Sequence, residues 1–261
     1  MDPLSIAATS AALRVSCLEL YTFTESIIRD KVPDSDLAIA TLGSVVRTVA
    51  PLLEEISNTW RSHSPSMMIH PTASFGMWLC VQSTLERTET ILRQLKKKVE
   101  PIVESGRKRT FTKMYAKAWK LGLNVRAIST YRGCLDANHT ALKVGVNMMR
   151  MCVRLHSGTP LQDKHSFLAV LDVEISNLEA GIHTARKLPF VDMQEDSERQ
   201  ELLVSMEGVV KSARAFHSFM ATAPLHQPGA HEQDGHGSAP PPPYAQTLQA
   251  EASGGDGPQH T

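Results

Sequence analysis

The chain has 261 residues, of which 42% are apolar and 21% charged, and its 27 basic residues balance 27 acidic ones. That composition excludes a fibrous or wholly disordered chain, and the length suits one or two domains. Zero formal net charge excludes a whole-chain field that draws the protein to nucleic acid.

Helical periodicity runs through the sequence, with no stretch of strand-like alternation. Asp2 and Pro3 form a helix start, Asp as N-cap and Pro in the first turn. The predicted first helix runs to about Arg29, with Leu4, Ala8, Ala11, Val15 and Leu18 on its apolar face. It lacks the basic start of a secretory signal, and Arg14 and Glu19 interrupt it well short of a membrane span. Pro33 marks the break, and Asp34 or Ser35 caps the second helix.

That second helix carries Leu42, Val45, Val46, Val49, Leu52, Leu53, Ile56 and Trp60, with Pro51 expected to kink or split it. Residues 62–71 read as a loop, being polar with two prolines. A third helix buries Trp78, Val81, Leu85, Leu92, Leu95 and Val99 and is closed by Pro101 and Gly106. A basic segment from Arg107 to Leu121 follows, and Gly122 and Asn124 suggest a boundary or bend. The next helix is long, with Val125, Ile128, Leu135, Leu142, Val146, Met149 and Val153 on one face.

After Gly158, Thr159 and Pro160 comes a helix carrying Leu168, Leu171, Ile175, Leu178 and Ile182. A last helix runs from about Asp196 to Ala223, with Leu203, Met206, Val210, Ala213 and Phe216 or His217 inward. From Pro224 the chain turns to Gly, Pro, His, Gln and Ser, too poor in apolar groups to offset the entropy of ordering. The expected organisation is a helical domain over 1–223, an all-α bundle of five to six long amphipathic helices, and a disordered tail over 224–261.

The opening residues Met1 to Leu13, MDPLSIAATSAAL, closely resemble the start of many fungal proteins. There they lead an all-helical N-terminal domain of signalling NTPases of the STAND class. The segment from Lys113 to Leu121 is similar to that family's basic-aromatic stretch, and the run from Leu135 to Leu142 to the pattern that follows it. The resemblance spans residues 1–220 and extends to two related groups. One is the HeLo-like group of cell-death and incompatibility domains, whose first helix is thought to act on membranes. The other is the family of the azaphilone pigment biosynthesis cluster protein L, in which the domain stands alone beside polyketide enzymes. No G-x-x-x-x-G-K-[ST] loop occurs in this sequence, which fits the stand-alone type better than the NTPases. The resemblance implies a helical accessory or regulatory protein of fungal secondary metabolism, or alternatively a signalling or cell-death domain acting at membranes.

Signals of catalysis are weak. There is no G-x-S-x-G, no H-E-x-x-H and no glycine-rich phosphate loop. Cys17, Cys80, Cys134 and Cys152 lack zinc-site spacing and read as buried hydrophobes of a reducing compartment, so the expected location is cytoplasmic with at most peripheral membrane contact. The sequon at Asn138 falls mid-helix and is read as chance. Glu179 and His183 share a helix face but need partners from elsewhere to hold a metal or move a proton. Glu54 with Glu55, and Glu195 with Asp196, read as exposed helix ends. No cofactor, no metal and no enzymatic activity are expected.

Charge is concentrated instead. From Arg93 to Lys120 ten basic residues face two acidic ones, a net of +8, which leaves −8 for the remainder. Arg107, Lys108, Arg109, Lys113, Lys117 and Lys120 interleave with Phe111, Tyr115 and Trp119 at four-residue spacing. Such a segment suits a solvated bundle end neutralised by acidic helices, an anionic membrane surface, or an acidic partner. Nucleic acid is disfavoured by the short stripe and the acidic remainder. Small residues of the first helix (Ala7, Ala8, Ala11 and Ala12 with Ser5 and Ser10) permit close helix approach in a bundle or at a membrane. In the tail, Pro241, Pro242, Pro243 and Tyr244 match the P-P-x-Y ligand of WW domains. Protein partners are expected; their identity and the oligomeric state are not legible.

Overall fold

A computed structural model describes residues 3–29, 36–67, 71–104, 112–156, 164–188 and 193–222. These form six α-helices and no strand among the described residues. They are α1 (Pro3–Arg29), α2 (Asp36–Met67), α3 (Pro71–Glu104), α4 (Thr112–His156), α5 (Lys164–Arg186) and α6 (Met193–Thr222). The expected all-α bundle is therefore the fold of residues 3–222, and the tail from 224 lies outside the described residues.

Helices α1 and α2, α3 and α4, α4 and α5, and α5 and α6 pair as antiparallel hairpins. Helices α1, α2, α4 and α3 form one four-helix ring, each packed on the next. Helices α3, α4, α5 and α6 form a second, so the α3–α4 hairpin is shared. That topology makes α4 the central strut. Over Ala127–Cys152 its buried residues come from several sides at once, among them Tyr131, Leu135, Met148 and Met151. A helix enclosed on several sides carries little one-sided periodicity, so the single predicted stripe of α4 is only part of its contact surface.

The inward face of α1 differs from the one expected. Its buried residues are Ile6, Ser10, Leu13, Cys17, Leu20, Thr24 and Ile27, a strict alternation of three- and four-residue steps. That is the seam of coiled-coil-like packing. Val15 and Leu18, assigned inward from the sequence, are 55% and 47% exposed. Two apolar faces exist on this helix, and the pairing with α2 selects the one that repeats every seven residues. On α2, Gly43, Ala50 and Ser57 also recur every seventh residue, and small side chains there let the two backbones come close. A Cβ on Gly43 would lie 2.9 Å from Thr24 Oγ1. The Ser57 hydroxyl donates to the Ala7 carbonyl at 3.1 Å, across from one helix to the other.

Pro51 neither splits α2 nor ends it. It sits on the exposed side, where the carbonyl it frees one turn earlier can meet water, while Val49 and Leu53 beside it are fully buried and hold the helix. The loop expected over 62–71 does not begin at Ser62, because α2 continues to Met67. Pro71 then opens α3, as suits proline in a first turn. No boundary falls at Gly122 and Asn124: α4 continues unbroken through both, with buried Leu121 and Ile128 on either side.

Within the described residues α2 is the one helix, over Leu37–His63, long and apolar enough to cross a membrane, with mean hydropathy 1.4. Its apolar residues Ile39, Leu42, Val46, Val49, Leu53 and Ile56 are already buried in the bundle. Trp60, at its inner end, meets Trp78 of α3 with ring centroids 5.2 Å apart.

Candidate interaction surface

The surface at the start of α4 is set by the α3–α4 hairpin. Lys120 reaches back to donate to the Pro101 carbonyl at 3.3 Å. That carbonyl belongs to the last turn of α3, where no intrahelical donor remains, so a lysine there satisfies an orphan acceptor and the negative end of the helix dipole. Trp119, next to it, is 71% exposed. Leu123, one turn on, is 61% exposed, and Arg126 beyond it is also exposed. The four-residue spacing places Trp119 and Leu123 side by side on one face. Sequence reasoning missed Leu123 because Gly122 and Asn124 suggested a bend there; continuing the helical spacing from Trp119 would have found it.

Of the other predicted contact residues, Lys113, Tyr115 and Lys117 belong to the first two turns of α4. Arg107, Lys108, Arg109 and Phe111 lie outside the described residues, as do Pro241, Pro242 and Tyr244 of the P-P-x-Y motif. Part of the basic segment is neutralised by other helices. Lys96 pairs with Glu19 of α1 at 3.0 Å, and Lys98 pairs with Glu195 of α6. Trp119 and Leu123 have no such covering.

Glu195 and Asp196 are not the solvated helix end that the sequence suggested. Both belong to a polar seam where α6 meets α3 and α4. Glu198 Oε2 accepts from Gln94 Nε2 at 2.8 Å and from the Tyr131 hydroxyl at 2.9 Å. Burial first, and Glu198 second, push the Tyr131 hydroxyl well above its ordinary pKa. Arg199 is buried, donating to Asp196 and to the Leu188 carbonyl just beyond α5. Farther along, Asn138 donates to the Thr88 hydroxyl at 2.7 Å, and Arg87 donates to Ser205 at 2.5 Å and Thr84 at 3.3 Å. A sequence of buried, directional bonds fixes the register of the three helices more sharply than apolar contacts alone.

The same burial removes several candidate chemistries. Asn138 is fully buried, so the folded bundle has no room for a glycan at the sequon. All four cysteines are free and buried, and desolvation pushes each thiol to about 12. A thiol held there is a poor nucleophile near neutral pH. Glu179 is engaged by Arg214 through both carboxylate oxygens at 2.8 Å, leaving His183 exposed beside it. No group of three metal-ligating side chains occurs among the described residues.

No family model, no curated protein and no solved structure matches this chain.

Proposed function

We propose that this chain is a non-catalytic accessory or regulatory protein that acts by association, using the opening turns of α4 as its contact surface. The observation that carries the reading is the pair of uncovered apolar side chains, Trp119 and Leu123, on one face beside a segment of net charge +8. An exposed aromatic anchor next to cations suits a partner with an acidic rim around an apolar centre. The fungal-type opening from Met1 to Leu13 supports a role of the pigment-cluster kind, beside polyketide enzymes. Disrupting the gene is expected to change pigment output, with the protein's own level restored by a complementing copy. Unchanged output in the disrupted strain contradicts that assignment.

A second reading, a HeLo-like domain acting at membranes, is favoured by the outward face of α1, where Val15 and Leu18 are exposed. To act on a bilayer with its inner face as well, α1 must give up the buried seam and its pairs Arg14–Glu54 at 3.2 Å and Glu19–Lys96 at 3.0 Å. Leakage of phosphatidylserine vesicles by the full chain, weakened by joint Val15→Ser and Leu18→Ser, is the outcome that reading requires. Intact vesicles at protein excess dismiss it.

A further inference from the structure

Glycine weakens a helix interior because it gives up the most backbone freedom on folding. Other helical glycines of this chain make room for a neighbour. A Cβ would lie 2.9 Å from Thr24 Oγ1 at Gly43, 3.3 Å from Val81 Cγ2 at Gly145 and 3.4 Å from Ala137 Cβ at Gly181. At Gly122 of α4 it would meet nothing within 4 Å, so no packing inside the molecule asks for a glycine there. Gly122 stands among Trp119, Leu123 and Arg126, all of them exposed. We propose that Trp119, Gly122, Leu123 and Arg126 seat an apolar side chain of an acidic amphipathic helix, presented by a partner protein and crossing α4 over Gly122. The proposal rests on the association reading above and adds the form and the charge of the partner.

These four residues are i, i+3, i+4 and i+7 of one helix, the set that forms a hole for a knob from a second helix. Trp119 and Arg126 close the ends of the hole, and Gly122 and Leu123 are its sides. A large side chain in place of Gly122 would hold an incoming helix away, whereas bare backbone lets it come close. Packed helix axes lie about 8–10 Å apart, and the side chains at the crossing decide where in that range they settle. Trp119, 71% exposed, and Leu123, 61% exposed, offer the apolar area that the knob would cover. Gly208 of α6 also has open space around it, but its own set is Val204, Glu207, Gly208 and Lys211, with one apolar wall instead of two. Charge selects the partner's sign. The segment from Arg93 to Lys120 carries +8, and Arg126 extends it. Its two acids, Glu100 and Glu104, are both on α3. A basic helix is repelled here, while one with Asp or Glu beside its apolar stripe is drawn in and oriented. Recognition of a helix by an apolar surface reads such a stripe at three- and four-residue spacing.

The probe is a short hydrocarbon-stapled helix with leucine at alternating three- and four-residue steps and glutamate on both flanks, titrated with the full chain by fluorescence anisotropy. A second peptide has lysine for every glutamate. Saturable binding of the glutamate peptide alone is expected, weakened by added salt and about tenfold or more by Trp119→Ala. Gly122→Ala is the discriminating variant. It should raise resistance to urea, as alanine does in a helix, and yet weaken the peptide severalfold. Gly208→Ala should raise resistance to urea and leave binding unchanged. No binding of the glutamate peptide overturns the proposal, as does equal binding of the lysine peptide or full affinity in Gly122→Ala. Two outcomes assign the surface to another occupant and overturn it as well: concentration-dependent dimers of the chain alone that Trp119→Ala dissolves, or sedimentation with phosphatidylserine vesicles that depends on Trp119 while the peptide stays unbound. The association reading is judged apart from all of these, by whether an allele lacking the Trp119 and Leu123 side chains retains function. If that allele fails while the peptide results are negative, the helical partner is wrong and association through this face stands.

Discussion

Replacing Gly43 with alanine probes the close approach of α1 and α2. In a helix exposed to solvent, glycine to alanine adds about 1 kcal/mol of stability through backbone entropy. At Gly43 the new methyl would lie 2.9 Å from Thr24 Oγ1, and Thr24 is fully buried with its hydroxyl donating to the Tyr21 carbonyl at 2.7 Å. A short branched side chain tied to its own backbone cannot swing away, so the helices must separate, an overpacking cost of about 1–3 kcal/mol. The propensity gain and that cost leave a net change between about zero and 2 kcal/mol destabilising. Gly208 of α6, with open space around its α-carbon, supplies the internal control. Gly208→Ala should stabilise by about 0.5–1 kcal/mol, measured with Gly43→Ala by urea unfolding followed by circular dichroism. Thr24→Ala in the Gly43→Ala background should recover the lost stability, a coupling of about 1–3 kcal/mol. If Gly43→Ala stabilises as much as Gly208→Ala, or if the two sites add within about 0.5 kcal/mol, the close α1–α2 contact is refuted.

Three further outcomes follow from buried ionisable groups. With thiols pushed to about 12 by burial, an aromatic disulfide reagent at pH 8 should react with the native protein far more slowly than with the urea-unfolded chain, which should release all four thiols; rapid native labelling of any cysteine contradicts its burial. His139 titrates below its ordinary 6.5, first because burial penalises the imidazolium and then because Lys143 repels it. The unfolded chain therefore binds the proton first, so stability present above pH 6.5 is lost as pH falls toward the folded value, and His139→Gln should flatten that slope; an unchanged slope dismisses the shift. Arg87, 4% exposed, has its pKa lowered to about 10 by burial and forms no ion pair with a carboxylate among the described residues. Arg87→Met should leave stability unchanged or raise it by about 1 kcal/mol, and a loss above about 2 kcal/mol would show that its bonds to Ser205 and Thr84 outweigh the desolvation.

What the sequence made legible is what helical periodicity encodes. The inward residues of α2, α3, α5 and α6 follow from spacing because each of those helices presents a dominant face. The seam of α1 did not follow, since Val15 and Leu18 form a second apolar face and only the partner helix decides between them. Proline and glycine at positions 51 and 122 misled for a related reason: a local preference of a few kcal/mol yields when both flanks are packed. Long-range pairing was invisible altogether. Nothing in the spacing ties Glu195 to Lys98 or Arg150 to Glu55, which lie about a hundred residues apart. Trp119 was found because its basic, aromatic surroundings stand out in composition; its exposure, and the neighbourhood of Leu123, needed the unbroken α4.

Association through the Trp119 face is tested most directly by gene replacement in the organism that carries this chain. An allele encoding Trp119→Ala with Leu123→Ser removes the exposed pair without touching a buried residue, and a matched allele with Val204→Ser alters an exposed apolar position on α6. Both proteins should accumulate and unfold like the unaltered chain. The account predicts that the Trp119/Leu123 allele reproduces the phenotype of gene deletion while the Val204 allele does not. Full function from the Trp119/Leu123 allele, at an unchanged protein level, would contradict it.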